Sequence, residues 1–361
     1  MRILQVCPGV YVSGRGGISE HVMRVSEALV KRGHDVTVFG TNSGGLPWFE
    51  VVNGVKVRRF RRFAPGGAYF FSPDMLFAMA GASFDVVHAH GLNTFPTNVA
   101  FLAKNRRFVV TPHFHGSGSS VFRDCLLRLF RYFAKKTMLR ADVVVAVSEY
   151  EKQLLVEQFR FDKRKVVVVP NGLDFEEFKG IERHERGFRS ILFVGRLERY
   201  KGVQYLVEVL PLLPEDVILE IVGRGSLRAE LESRAKKLGV SDRVLFFQDL
   251  SRRELLQKYF DSDVLVLLSK YEAYGLVVAE ALIAGTSCIV ADTSALSEWI
   301  DGVNCFGITV PVKFDTLAEL IKRSFDGRMV QRTSGNIDKI LSWKTVAWRL
   351  EDIYYGNRLG D

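Results

Sequence analysis

Short apolar runs alternate with amphipathic stretches along most of the chain. The runs Ile3–Val6, Val36–Phe39, Val86–His88, Phe108–Thr111, Val143–Val147 and Val166–Val169 read as buried strands. Between them, helical spacing covers Ser19–Lys31 and Cys125–Leu139. This alternation belongs to a parallel sheet covered by helices, an α/β fold. It breaks at Pro170-Asn171-Gly172 and the charged stretch 174–189, which we read as a linker. It resumes at Ile191–Val194 and continues through Ile218–Val222, Val244–Phe247, Val264–Leu267 and Ser287–Ala291. Residues 1–173 and 190–342 therefore read as two consecutive domains, with ligands expected at the carboxyl ends of the strands, in the cleft between them. A last stretch, Trp343–Tyr355, has Val346, Ala347, Leu350, Ile353 and Tyr354 at helical spacing.

The segment from Tyr271 to Gly285 is the most informative. It predicts a loop, then a short helix ending at Gly285, whose missing Cβ suits a left-handed cap. The helix is apolar on nearly every face and so predicted to be buried. Glu280 then sits where a lone carboxylate is costly. One reading gives it ligand hydroxyls; the other pairs it with a buried arginine. Glu272 lies just before the helix. Gly275 lets a ligand approach the first-turn amides, which together with the dipole form an anion site.

Other strand ends carry chemistry too. Ser13-Gly14-Arg15-Gly16-Gly17-Ile18 can aim amides at a phosphate, or be a plain tight turn; its third glycine position is Ser19, so it fails the dinucleotide pattern. After the strand at Ile191–Val194, Gly195 clears space while Arg196 and Lys201 supply two cations that suit a diphosphate. Val222-Gly223-Arg224-Gly225-Ser226 is a second glycine turn. Four of the seven histidines, His88, His90, His113 and His115, fall at two strand ends. Imidazoles there can bind a sugar hydroxyl, a phosphate or a metal, but no third ligand is evident, so no metal is expected. Asp261-Ser262-Asp263 superficially resembles a metal-binding DxD, but it directly precedes a strand and reads as a turn.

Charge sharpens the picture. Residues 1–180 hold 25 Lys+Arg against 15 Asp+Glu and residues 181–361 hold 25 against 26, so the first half carries the whole excess of a chain of net charge +9. The excess clusters at Lys56–Arg62, followed by Phe63, Tyr69, Phe70 and Phe71, and along Arg123–Arg140. Basic residues among aromatics fit an anionic membrane surface or single-stranded nucleic acid; a solvated face is the bland alternative. No nucleic-acid module appears, so no nucleic-acid partner is expected. No uncharged apolar run spans a membrane, and the start lacks a signal-peptide pattern. The four cysteines show neither disulfide nor zinc spacing, which fits a reducing cytoplasm.

Together these motifs resemble the family-4 retaining glycosyltransferases of GT-B fold, the group of glycogen synthases and phosphatidylinositol mannosyltransferases. Glu272 and Glu280, with seven residues between, look like that family's EX7E motif. The resemblance implies two Rossmann-like domains facing across a cleft, an acceptor-binding first domain completed by the helix within 343–361, and a nucleotide-sugar-binding second domain. It implies that Arg196 and Lys201 hold the donor diphosphate, that Glu280 takes the ribose hydroxyls, and that Glu272 and the amides of Ala273, Tyr274, Gly275 and Leu276 hold the hexose and phosphate. Gly16 and Gly17 would approach the phosphates, with Gly223 in the donor turn. His90 would lie beside the transferring sugar, and His113, His115 and Asn171 on the acceptor or sugar side. His90, Glu272, Arg196 and Lys201 are the implied catalytic set. The reaction would need no cofactor or metal. It would move a hexose from a UDP- or GDP-sugar to a glycan or polyprenyl-linked acceptor, on the cytoplasmic side and at the inner face of the membrane.

Three departures stand out. Arg224 replaces the acidic residue of the usual glycine turn, and Thr286 stands where a proline usually follows Gly285. Ser294-Ala295-Leu296-Ser297 stands where a Gly-Gly pair usually precedes Glu298. The alternative readings are a non-catalytic nucleotide-sugar-binding subunit, or a phosphorylase or epimerase relative on the same fold.

Overall fold

The computed structural model describes residues 1–10, 17–42, 45–63, 71–92, 94–115, 132, 134–325 and 336–357. Gly14, Arg15, Gly16, Tyr69, Phe70 and most of the basic stretch 123–140 lie outside these residues. The chain divides into two units, Met1–Gly172 with Leu341–Asp361, and Leu173–Ile340.

The apolar runs form the strands they predict, because β-branched residues buried on both faces suit a parallel sheet. The first unit's sheet comprises β1 (Arg2–Gly9), β2 (Asp35–Asn42), β3 (Phe49–Val52), β4 (Val55–Arg61), β5 (Val86–His90), β6 (Arg107–Thr111), β7 (Val143–Ala146) and β8 (Val166–Val168). Their order is β3-β4-β2-β1-β5-β6-β7-β8, parallel throughout except for the β3–β4 hairpin. That hairpin pairs Val52 with Val55 across Asn53-Gly54, both at positive φ. Asn-Gly is the sequence that such a two-residue turn demands.

The hairpin changes the meaning of the basic cluster at 56–62. Val55 and Val57 face inward, Lys56 and Arg58 outward. Arg59 is buried, donates to the carbonyls of Val10 and Pro47, and pairs with Glu50. Lys56 pairs with Asp35 at 2.8 Å. Two of these five cations thus serve the fold.

Helix α1 (Gly17–Lys31) covers one face of the first sheet. It packs with the C-terminal helix, Trp343–Tyr355, in a core of Ile3, Val25, Leu29, Val86, Val346, Leu350 and Ile353. The C-terminal helix therefore completes the first unit.

The second unit's sheet comprises β9 (Arg189–Val194), β10 (Val217–Val222), β11 (Val244–Phe247), β12 (Val264–Leu267), β13 (Ser287–Ala291) and β14 (Cys305–Ile308). All are parallel, in the order β11-β10-β9-β12-β13-β14. The stretch 174–189, read from its charge as a linker, is fastened to this unit. Glu177 accepts from Arg252 at 2.8 Å, and Arg186 pairs with Glu220 at 2.8 Å. Asp261 and Asp263 cap this arrangement by accepting the amides of His184 and Ser190, which explains both acids structurally.

Candidate active site

In the second unit, the turn after β9 and the loop before a short helix form one cluster. Gly195 and Gly223 end neighbouring strands, with φ of 158° and 146°. A Cβ on Gly223 would stand 1.9 Å from the Gly195 carbonyl oxygen, so no side chain fits there. Gly223, expected in the donor turn, donates its amide to the Phe247 carbonyl at 3.0 Å. Arg224 forms an ion pair with Asp249 at the surface.

Arg196 is exposed, and its guanidinium donates to the Tyr200 hydroxyl. Among the described residues it has no carboxylate partner. Lys201 is more enclosed and pairs with Glu272. The chain reaches it through Gly202, where a Cβ would stand 2.4 Å from the Leu268 carbonyl oxygen. The turn is therefore pressed onto the end of β12, which brings Lys201 to Glu272. Helix α2 (Arg252–Asp261) and helix α3 (Leu276–Ile283) complete the cluster. Gly275 precedes α3 at φ 92°, with no side-chain cap on its first-turn amides. These follow Ala273 and Tyr274 in the chain.

The loop that departs from the family pattern underlies this site. Residues Ser294–Trp299 form a 3₁₀ helix, and Ser294 has φ 55°. The Glu272 amide donates to Ser294 Oγ at 3.2 Å, and Trp299 Nε1 donates to the Tyr274 carbonyl at 2.6 Å. Serine keeps the left-handed backbone and adds a hydroxyl that holds Glu272's backbone. The substitution is thus built into the loop's support.

Glu280 is paired with an arginine, as in the second reading, but with a half-exposed one rather than a buried one. It is buried; Oε1 accepts from Arg252 at 2.5 Å and Oε2 accepts from the Tyr259 hydroxyl at 2.6 Å. Arg252 and Tyr259 lie on α2, and no motif singled them out. Their only signal is tertiary, since α2 packs on α3.

In the first unit, β5 and β6 bring His88, His90 and His113 together, and α1 adds His21. His90 Nδ1 lies 3.4 Å from His113 Nε2, and His90 Nε2 donates to Gln5 Oε1 at 2.7 Å. Gln5 donates to the Tyr354 hydroxyl at 3.1 Å, which bonds His88 at 2.7 Å. His21 Nδ1 donates to Asn171 Oδ1 at 2.7 Å. Burial holds His90 and His88 neutral, well below the usual imidazole range, and lowers His21 to about 4. His115 follows on the same segment, half-buried. Gly17 opens α1 with no described atom within 4 Å of its added Cβ. His21 escaped sequence reasoning because it shares the buried face of α1 with Val22, Val25 and Leu29.

The chain matches two family models, Glycosyltransferase Family 4 over residues 15–177 and Glycosyl transferases group 1 over residues 174–335. It is 30% identical to a D-inositol 3-phosphate glycosyltransferase of Xylanimonas cellulosilytica, over 94% of this chain and 91% of that one. Its fold is similar to a sucrose-phosphate synthase from Thermosynechococcus elongatus, with TM-score 0.79, 20% identity and 99% of each chain covered. It is also similar to Anabaena Alr3699/HepE in complex with UDP-glucose, with TM-score 0.77, 18% identity, and 99% of this chain and 100% of that one covered. The fold is GT-B, and the chain belongs to glycosyltransferase family 4, whose members act on nucleotide sugars.

Proposed function

We propose that the chain moves a hexose from a UDP- or GDP-sugar to a hydroxyl acceptor with retention of configuration, and without a metal on the diphosphate. The observation that carries this reading is the cation pair after β9. Arg196 stands exposed, and Lys201 lies on Glu272 beside the uncapped start of α3. Negative charge grows on the diphosphate as it leaves, and fixed cations and amides stabilise that charge most in the transition state. The departing diphosphate takes the acceptor's proton, so the chain need supply no nucleophile. His90, with His113, His115 and Asn171, serves the sugar or acceptor side.

Ligand that binds only the folded state raises its melting temperature, by about 2.7 kcal/mol of added stability at 100 times Kd. UDP or GDP is expected to stabilise the protein and ADP and NAD far less, with the shift lost in Arg196→Ala. Transfer rates should not respond to added magnesium or manganese. If neither UDP nor GDP shifts the melt, the donor reading is wrong. If one binds and no sugar moves to any lipid or glycan acceptor, the non-catalytic reading takes its place.

We further propose that the acceptor is lipid-linked or an envelope glycan, met at an anionic bilayer. Around the β3–β4 hairpin, Trp48, Phe49, Val51, Phe63 and Phe77 are exposed beside Arg58 and Arg61. Such a surface suits lipid headgroups with an acyl boundary beneath. Among the described residues no helix is long and apolar enough to cross a membrane. The protein is expected to float with anionic vesicles and not with neutral ones, and Arg58→Glu/Arg61→Glu should release it. Equal flotation of that variant would refute this surface.

A further inference from the structure

We infer that Tyr200 is a positioning residue for the diphosphate, one that holds the Arg196 guanidinium after β9 without neutralising it. The two cations of this turn are secured by different means. Lys201 has a carboxylate, Glu272. Arg196 has no carboxylate among the described residues, and its Nη2 donates to the Tyr200 hydroxyl, four residues on. A carboxylate in that place would grip the guanidinium more tightly but would cancel the charge it has to offer. A phenol accepts the same hydrogen bond and stays neutral. The ring adds to the hold. Its centroid lies 5.7 Å from Arg196 Cζ and 5.3 Å from Lys201 Nζ, within the range where an aromatic face attracts a cation. One neutral side chain thus orders both cations.

Tyr200 is itself fixed at the backbone. It lies in the 3₁₀ turn Arg199–Lys201, where the Lys201 amide donates to the Glu198 carbonyl at 2.9 Å. The Tyr200 carbonyl accepts from the Lys270 amide at 2.7 Å. The turn closes at Gly202, with φ of 76°, where the chain lies against Leu268. Both contacts are to the segment just beyond β12, which runs on to Glu272 and α3. The tyrosine is therefore tied to the loop that carries the other groups proposed for the diphosphate. An exposed arginine samples many rotamers, and ordering it on a ligand costs affinity. A hydroxyl that bonds the guanidinium beforehand reduces that cost, because less freedom is left to lose. The competing arrangement is a surface contact that gives way to water, with Arg196 reaching the ligand unaided.

This inference deepens the transfer reading and rests on Arg196 as a contact of the diphosphate. Its test is a double-mutant cycle on the full chain, with UDP and GDP titrated calorimetrically into the parent, Tyr200→Phe, Arg196→Ala and the double variant. Phenylalanine keeps the ring beside both cations and removes only the hydroxyl, so the unliganded melting temperature should stay within about 2 °C of the parent's. Tyr200→Phe should nevertheless weaken binding of the preferred nucleotide about fivefold to tenfold, and Arg196→Ala should weaken it further. In the Arg196→Ala background, Tyr200→Phe should change Kd by less than about twofold, since no guanidinium is left to hold. Losses that multiply in the double variant would mean that Tyr200 acts on its own, and would overturn the positioning role. If Arg196→Ala weakens binding and Tyr200→Phe does not, the positioning role is wrong and the diphosphate role of Arg196 stands. If Arg196→Ala binds as the parent does, or the parent binds neither nucleotide, the diphosphate role fails and takes this inference with it.

Discussion

Lys201→Ala is expected to lower kcat/KM for the nucleotide sugar by about 100- to 1,000-fold. Lys201 faces Glu272, and both side chains are largely enclosed, at 14% and 17% exposure. A cation held there costs no reorganisation when the diphosphate departs. Its removal also leaves the Glu272 carboxylate without its counterion, next to where the proposal seats phosphate. The variant should therefore lose affinity as well as turnover. Arg196 offers a contrast. Its guanidinium is exposed and bonds Tyr200, so its loss should barely move the unliganded melting temperature. Arg196→Lys keeps the charge but loses the planar fork that grips two phosphate oxygens, and should recover only part of the activity that Arg196→Ala loses. Steady-state kinetics beside unliganded melts decide the matter. A Lys201→Ala enzyme whose kcat/KM stays close to the parent's would remove the diphosphate role.

The alternating strands, the two-unit layout and the motif glutamates were legible because each follows from local pattern. Val264–Leu267 and Ser287–Ala291 fall where their apolar runs predict. The β3–β4 hairpin was missed although Asn53-Gly54 announces it. Arg58, Arg59 and Arg61 drew attention as charge, and charge hid the alternation of Val55 and Val57 beneath. Whether Arg59 faces lipid or Glu50 depends on strand register, which composition does not carry. The same limit applies to partners distant in sequence. Arg252 lies 28 residues from Glu280, and His21 lies 150 residues from Asn171. No spacing rule joins such pairs; the packing of α2 on α3, and of α1 on its sheet, brings them together. The substituted loop Ser294–Ser297 stood out from sequence as a departure from the family pattern. In the structure Ser294 keeps the backbone conformation a glycine would take and adds a hydrogen bond under Glu272.

Glu280→Ala is expected to destabilise the unliganded second unit by about 3 kcal/mol. At about 2–4 °C per kcal/mol for a unit of this size, its melting temperature should fall by roughly 10 °C. The reason is the company this carboxylate keeps. Tyr259 is fully buried and its hydroxyl donates to Oε2 at 2.6 Å. Arg252 donates to Oε1 at 2.5 Å, and its Nε holds Glu177 at 2.8 Å. Truncation orphans the tyrosine hydroxyl, leaves Arg252 with one carboxylate, and opens a gap between α2 and α3. Glu280→Gln keeps the volume but presents an amide N–H₂ to one of two donors, so it should fall between parent and alanine. A glutamate whose sole duty was to meet a ligand's ribose would leave the unliganded melt unchanged. Glu280→Ala melting within about 2 °C of the parent would therefore return Glu280 to the ligand and overturn the anchoring role. The two motif glutamates, one in the loop before α3 and one on α3, then divide the work. Glu280 fixes α3 to α2 from within, and that fixed helix holds Glu272, Lys201 and the first-turn amides in register for the charge they are proposed to meet.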